Sequence, residues 1–215
     1  ATKHGVINCH AGMLPFYRGR NILNWVLIND ESEFGITVHH VDEGIDTGDI
    51  IIQKAFPILE EDDYSTLLNI SFVQCALLLH QALVLINNNQ YISVSQSDID
   101  DLGFYCGKRI DGDEQINWDS NSRTIHNLIR AVCKPGPEAY FYFEDKKYRV
   151  IKSKFYKNAK SYIEIPGQVL FKRHGFLVIK TKDSIIDIFI GIRPPKNVPY
   201  YYKSTAHNTA PNRCF

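Results

Sequence analysis

The sequence predicts an α/β amino-terminal half followed by a small β-rich carboxy-terminal domain. Three observations carry that reading. Short β-branched runs at 5–7, 35–41 and 49–53 alternate with helix-periodic segments at 22–27 and 64–86. From Ala139 onward the helical period disappears, and short extended runs separated by turn residues take over. Charge divides the chain as well. Residues 1–101 hold four Lys/Arg against fourteen Asp/Glu, net −10, whereas residues 102–215 hold twenty against ten, net +10. The boundaries drawn from these patterns are 1–101, 102–190 and a tail at 191–215 rich in Pro, Asn, Tyr and Lys.

In the first half, Gly5-Val6-Ile7 reads as a short buried strand, with Asn8-Cys9-His10 at its carboxyl end. In open α/β sheets that end faces ligands. Alternation puts Asn8 and His10 on one face and Cys9 on the other, as a packing residue. Pro15 and Gly19 break regular structure before Ile22, Leu23, Val26 and Leu27, which share a helical face beside a packing Trp25. Gly35 to Val41 is a second strand, Asp42 to Gly48 a loop, and Asp49 to Gln53 a third strand. Glu60 to Asp63 place carboxylates at the positive end of a long helix, Tyr64 to Ile86. Thr66, Leu67, Ile70, Val73, Leu77, Leu78 and Leu83 form its expected core stripe, and Asn87-Asn88-Asn89 stops it.

Residues 90–117 read as a connector. Asp119 or Ser120 is the expected N-cap of a helix that buries Ile125, Leu128, Ile129 and Val132 and ends at Pro135-Gly136-Pro137. Strands are expected at 140–143, 148–155, 167–171, 176–180 and 185–190, the spacing of a small barrel or antiparallel sheet. Tyr200-Tyr201-Tyr202 in the tail is an aromatic cluster with no second signal of base stacking.

The chemistry concentrates between Asn8 and Asp49. Transfer of an acyl group to an amine passes through a tetrahedral oxyanion, which an amide N–H or an imidazolium stabilises. An imidazole also takes the proton of the attacking amine, and a carboxylate beside it fixes its tautomer. Asn8, His10 and Asp46 supply these three groups, provided that the fold brings Asp46 back to His10. No serine or cysteine nucleophile is needed, because the amine attacks directly.

The order N-x-H, L-P-x-Y-R-G-R, G-I-T-V-H and D-E-G-I-D-T-G-D-I resembles the 10-formyltetrahydrofolate-dependent formyltransferases over about the first sixty residues. The run R-G-R-N-I-L-N-W-V-L-I-N-D is most similar to sugar N-formyltransferases. The resemblance implies a Rossmann-like core with Asn8, His10 and Asp46 as the catalytic set. It also implies substrate contacts at Tyr17, Arg18, Gly19 and Arg20, and folate contacts at Leu14, Gly44, Ile45 and Asp46. Arg18 and Arg20 would bind phosphates or the folate glutamate, or else pin the loop to Asp42 or Glu43. Many relatives carry serine where Gly12 stands. Family members also place several strands and helices ahead of the N-x-H strand, so only the later part of the core is expected here. I-N-W, I-R-A-x-x-x-P-G-P and G-Q-V, within about residues 108–190, resemble the carboxy-terminal domain of methionyl-tRNA formyltransferases, which implies an OB-like fold.

The implied reaction is formyl transfer from 10-formyltetrahydrofolate to the amine of a nucleotide-linked amino sugar, with no metal. A homodimer is compatible with this, a nucleic-acid partner is disfavoured by the zero net charge, and no apolar run is read as a membrane span. His39 and His40 lack acidic or cysteine partners at zinc-ligand spacing. Five cysteines without CxxC spacing, and no signal-peptide core, point to reduced thiols in a cytoplasm. Two rival readings stand beside this one. The basic second half fits a methionyl-tRNA formyltransferase. The short front fits a truncated, non-catalytic relative acting as a binding protein.

Overall fold

The computed structural model describes residues 5–191, so the Tyr200 to Tyr202 cluster lies outside the described residues. The chain forms two compact units, 1–109 and 110–215. The break falls after Arg109, eight residues beyond the boundary read from composition.

In the first unit β1 (Ile7–His10), β3 (Glu33–His40) and β4 (Ile50–Pro57) make a three-stranded sheet in the order β1-β3-β4, with both pairings antiparallel. The first strand differs from expectation. Asn8 and His10 lie within β1 rather than beyond it, and Val6 is exposed. A two-residue strand β2 (Arg18–Gly19) pairs in parallel with β5 (Tyr105–Cys106). Helix α1 (Ile22–Ile28) buries Ile22, Leu23, Val26 and Leu27, as its spacing predicts. The core gathers Leu14, Leu27, Phe34, Ile36, Val38 and Leu67.

Helix α2 (Tyr64–Asn87) begins with a capping box, in which Asp63 accepts from the Thr66 N–H at 3.0 Å and the Thr66 hydroxyl accepts from the Asp63 N–H at 2.8 Å. It ends where Asn89 takes a left-handed backbone. Its buried row is Leu67, Ser71, Leu78, Ala82 and Ile86. Val73, Leu77 and Leu83, expected in the core, are more than half exposed, as is Phe72. A helix apolar on nearly every side gives no sequence cue to which stripe goes inside. By length and apolarity α2 is also long enough to cross a bilayer, which corrects the reading of no span-like run.

The second unit is a five-stranded antiparallel sheet in the order β6-β7-β10-β9-β8. Its strands are β6 (Ala139–Phe143), β7 (Lys146–Lys154), β8 (Val169–Arg173), β9 (Phe176–Lys180) and β10 (Ile185–Ile190). The β6–β7 hairpin turns through Glu144-Asp145, both at positive φ, and β8–β9 through His174-Gly175 in the same way. These are the geometry that suits the strands' right-handed twist. Helix α3 (Ser122–Ala131) packs on β7. Its N-cap is Asn121, not Asp119 or Ser120, and the capping carboxylate comes from far away in the chain. Asp183 accepts from the Ser122 N–H at 2.8 Å and from its hydroxyl at 3.2 Å.

Candidate active site

Strand alternation sets one side of the site. Cys9 turns toward α2, where its thiol reaches the Cys75 carbonyl at 3.6 Å, and the neighbouring Cys75 side chain together with burial pushes the Cys9 pKa up. Asn8 and His10 point the other way. The β1–β3 register sets Asn8 opposite His39 and His10 opposite Thr37. Asp46 arrives on the 42–49 loop, with its backbone in the left-handed region at φ 55. The loop is held by Asp42, whose carboxylate accepts the Thr47 hydroxyl at 2.6 Å and the Gly44 N–H at 3.1 Å. The Thr47 bond leads the groups that hold the Asp42 carboxyl below its usual range. Gly48 passes so close to the His40 carbonyl that a Cβ would collide with its oxygen.

The Asp46 carboxylate is the centre. One oxygen accepts the Gly19 peptide N–H at 2.9 Å and lies 3.5 Å from His10 Nδ1. The other lies 3.5 Å from Asn8 Nδ2 and 3.6 Å from His39 Nε2. His10 Nε2 is 2.7 Å from the Tyr17 carbonyl oxygen, which only accepts, so that nitrogen carries the proton. His39 Nδ1 is likewise 2.7 Å from the His40 carbonyl, which leaves the Nε2 lone pair facing the Asn8 amide at 3.4 Å. Burial pushes the His39 pKa down, in keeping with a neutral ring. Asn8 is exposed and Asp46 half-buried, while both imidazoles are buried, so the open side of the set is an amide backed by imidazole and carboxylate. The His10 ring lies against Gly12, where there is no room for a Cβ. Such a set can take a proton from an amine and donate to an oxyanion. Among the described residues no three His, Cys, Asp or Glu side chains are grouped to hold a metal ion.

The structure brings Asn8, His10 and Asp46 together, with Gly19 and the Tyr17 carbonyl in contact with them. The Tyr17 side chain points elsewhere, donating its hydroxyl to Glu31, and burial raises its pKa. Arg18 is engaged by neither Asp42 nor Glu43. Its Nε and Nη2 donate to the Gln96 amide oxygen at 3.0 and 2.7 Å, and its guanidinium lies over the Tyr105 ring. Arg20 is exposed. Leu14 sits in the core, 1% exposed, with its carbonyl taken by Gln53. Gly44 and Ile45 lie on the exposed rim of the loop, Ile45 being 66% exposed.

Two polar residues at the site are not among those the sequence reading selected. From the sequence, His39 is considered only against a zinc site, because its pairing with Asn8 comes from the β1–β3 register, which no local pattern gives. Gln96 sits in the stretch read as connector, where no local pattern marks it.

The sequence profile of the Formyl transferase family matches residues 1–81, and that of the Formyl transferase C-terminal domain matches residues 110–207. The fold and the Asn8–His10–Asp46 geometry fall within these matches, and the chain belongs to the formyl transferase family. It is 37% identical over 179 residues to a methionyl-tRNA formyltransferase of Pelotomaculum thermopropionicum, covering 83% of this chain and 56% of that protein. It is 36% identical over 186 residues to the bifunctional polymyxin resistance protein ArnA of Wigglesworthia glossinidia brevipalpis, covering 86% of this chain and 27% of that one. Among solved structures it is similar to the N-formyltransferase from Helicobacter canadensis in complex with folinic acid and dTDP-3-aminofucose. The TM-score there is 0.69 at 27% identity, over 86% of this chain and 66% of that one. The chain thus spans about half the length of the methionyl-tRNA formyltransferase it matches.

Proposed function

We propose that this chain carries the reacting groups for formyl transfer from 10-formyltetrahydrofolate to the primary amine of a nucleotide-linked amino sugar. The carrying observation is the convergence of Asn8, His10 and Asp46, with the His10 and Asn8 nitrogens each 3.5 Å from the shared carboxylate. The folate supplies an activated formyl group. His10 takes the proton from the attacking amine, and Asn8 donates to the oxygen on which charge develops. The Tyr17 carbonyl orients the ring through Nε2–H, and Asp46, 3.5 Å from Nδ1, stabilises the imidazolium that forms when Nδ1 takes the proton. The exposed Gly44-Ile45 rim fits an aromatic ring system better than Leu14 does, because Leu14 is sealed in the core.

The test is transfer of a labelled formyl group to dTDP-linked and UDP-linked amino sugars. His10→Ala should abolish turnover with the fold intact, and retained turnover would sink the assignment.

A second reading takes methionyl-tRNA as the acceptor. It is favoured by cations lying over aromatic rings in the second unit. Lys147 is 3.5 Å from the Tyr140 ring centre, Lys154 4.7 Å from that of Phe176, and Lys152 5.6 Å from that of Phe189. All three lysines stand on β7, and clustered cations attract a phosphate backbone whatever its sequence. Binding of tRNA that weakens steeply with salt would select it.

A further inference from the structure

We infer that Gln96 is a positioning residue for the proposed reaction, clamping the loop that carries Asp46 to strand β2, Arg18–Gly19. The inference rests on the formyl-transfer reading of the Asn8–His10–Asp46 set.

Gln96 is 3% exposed, and every hydrogen-bonding position on its amide is filled. Its Nε2 donates to two backbone carbonyls of the catalytic loop, Asp46 and Gly48, both at 2.8 Å. Its Oε1 accepts Nε and Nη2 of Arg18 at 3.0 and 2.7 Å. The amide can be seated only this way round, because carbonyls only accept and a guanidinium only donates. Gln96 is fixed in turn by its neighbours. Val94 exchanges both backbone hydrogen bonds with Ile50, at 2.8 and 2.9 Å, at the start of the strand that follows the loop. The glutamine therefore reads the loop's path from a framework built on β4.

The consequence runs to the catalytic carboxylate. Asp46 holds a left-handed backbone, so its side-chain direction depends on the loop being pinned at its carbonyl side. Gln96 provides that pin at Asp46 itself and again two residues on. The Gly19 N–H holds the same residue from the other side, through Oδ2. Because Gln96 also grips Arg18, next to Gly19, both restraints on Asp46 lead back to one buried amide. Gln96 lies in 82–109, between the two stretches that the family profiles match.

Two substitutions separate positioning from mere packing. Gln96→Glu keeps an oxygen for Arg18 but sets a carboxylate oxygen against the two loop carbonyls. Gln96→Met fills the volume and removes both functions. Hydrogen exchange by mass spectrometry follows the 42–49 segment, and steady-state kinetics follow turnover. Both variants should exchange faster in 42–49 while α2 and the second unit keep wild-type protection. Their kcat should fall roughly 10–100-fold, as expected for misplacement of a catalytic group, with KM changed much less. Unchanged exchange in 42–49, or faster exchange spread evenly over the whole protein, would overturn the clamp. Faster exchange confined to 42–49 with kcat unchanged would overturn its positioning role. A wild-type protein that transfers no formyl group to any amine would instead remove the underlying functional reading, and the exchange data would still decide whether Gln96 holds the loop.

Discussion

A Cβ placed on Gly12 would stand 2.5 Å from His10 Nε2 and 2.7 Å from the Tyr17 carbonyl oxygen to which that nitrogen is bonded. The imidazole occupies its place because residue 12 has no side chain. Gly12→Val, bulkier than the serine that relatives carry, should therefore push the ring off the Tyr17 carbonyl and away from Asp46. Overpacking of this kind costs about 1–3 kcal/mol of stability. The ring shift should lower formyl transfer by about 10–100-fold. A crystal structure of the variant with His10 still bonded to Tyr17 would refute this.

His39 gives the protein a pH signature. Its folded-state pKa is depressed by burial, so the unfolded chain binds a proton there more readily than the native one does. Stability must then rise with pH through this group and fall as pH drops below the ordinary histidine value of about 6.5. Carboxylates with lowered pKa, such as Asp42 and Asp183, act in the same direction only at more acid pH. Urea unfolding of wild type and His39→Gln at several pH values between neutral and pH 5 checks this. The variant should show the shallower loss, and parallel curves would show that His39 is not the group concerned.

Asn8 is the exposed member of the set and makes only long contacts with its neighbours, at 3.4 and 3.5 Å. Asn8→Ala should leave stability within about 0.5 kcal/mol, as for a surface change. Loss of an oxyanion donor should lower kcat by about 10²–10³. Thermal unfolding beside steady-state kinetics reads both, and a variant losing only KM would mean that Asn8 binds substrate without acting on the oxyanion.

The two sides of α2 should respond oppositely. Leu78, 2% exposed, packs inward, and Leu78→Ala should cost about 2–5 kcal/mol. Phe72, 68% exposed, should tolerate Phe72→Ser within about 0.5 kcal/mol. Chemical denaturation decides, and a large loss at Phe72 would mean that its side of the helix is covered in solution.

Most strands and helices were legible because their periods are local. The turn residues of the second unit even marked its hairpins. The N-x-H alternation placed Asn8 and His10 on one face without further help. What stayed hidden is long-range. Which stripe of an apolar helix goes inward depends on the sheet it meets, so Val73 and Leu77 looked like core. Asp183 caps a helix that starts 61 residues upstream in the chain, where no local signal exists. Gln96 is a polar residue in an irregular stretch, and only the closed fold shows that its amide is filled. His39 was visible as an alternating residue, but its partner Asn8 is fixed by strand register.

The pairing of β2 with β5 bears on how the chain can be recombined. The Arg18 and Arg20 peptide N–H groups donate to the Phe104 and Cys106 carbonyls, and Trp25 donates to that of Gly107. A chimaera joined where the net charge changes sign, after Asp101, would exchange the very backbone that supports strand β2. A swap made after Arg109 would carry that backbone along with Asn8, His10 and Asp46. The natural joint between the two units thus lies at Arg109, and the stretch before it travels with the Asn8–His10–Asp46 set.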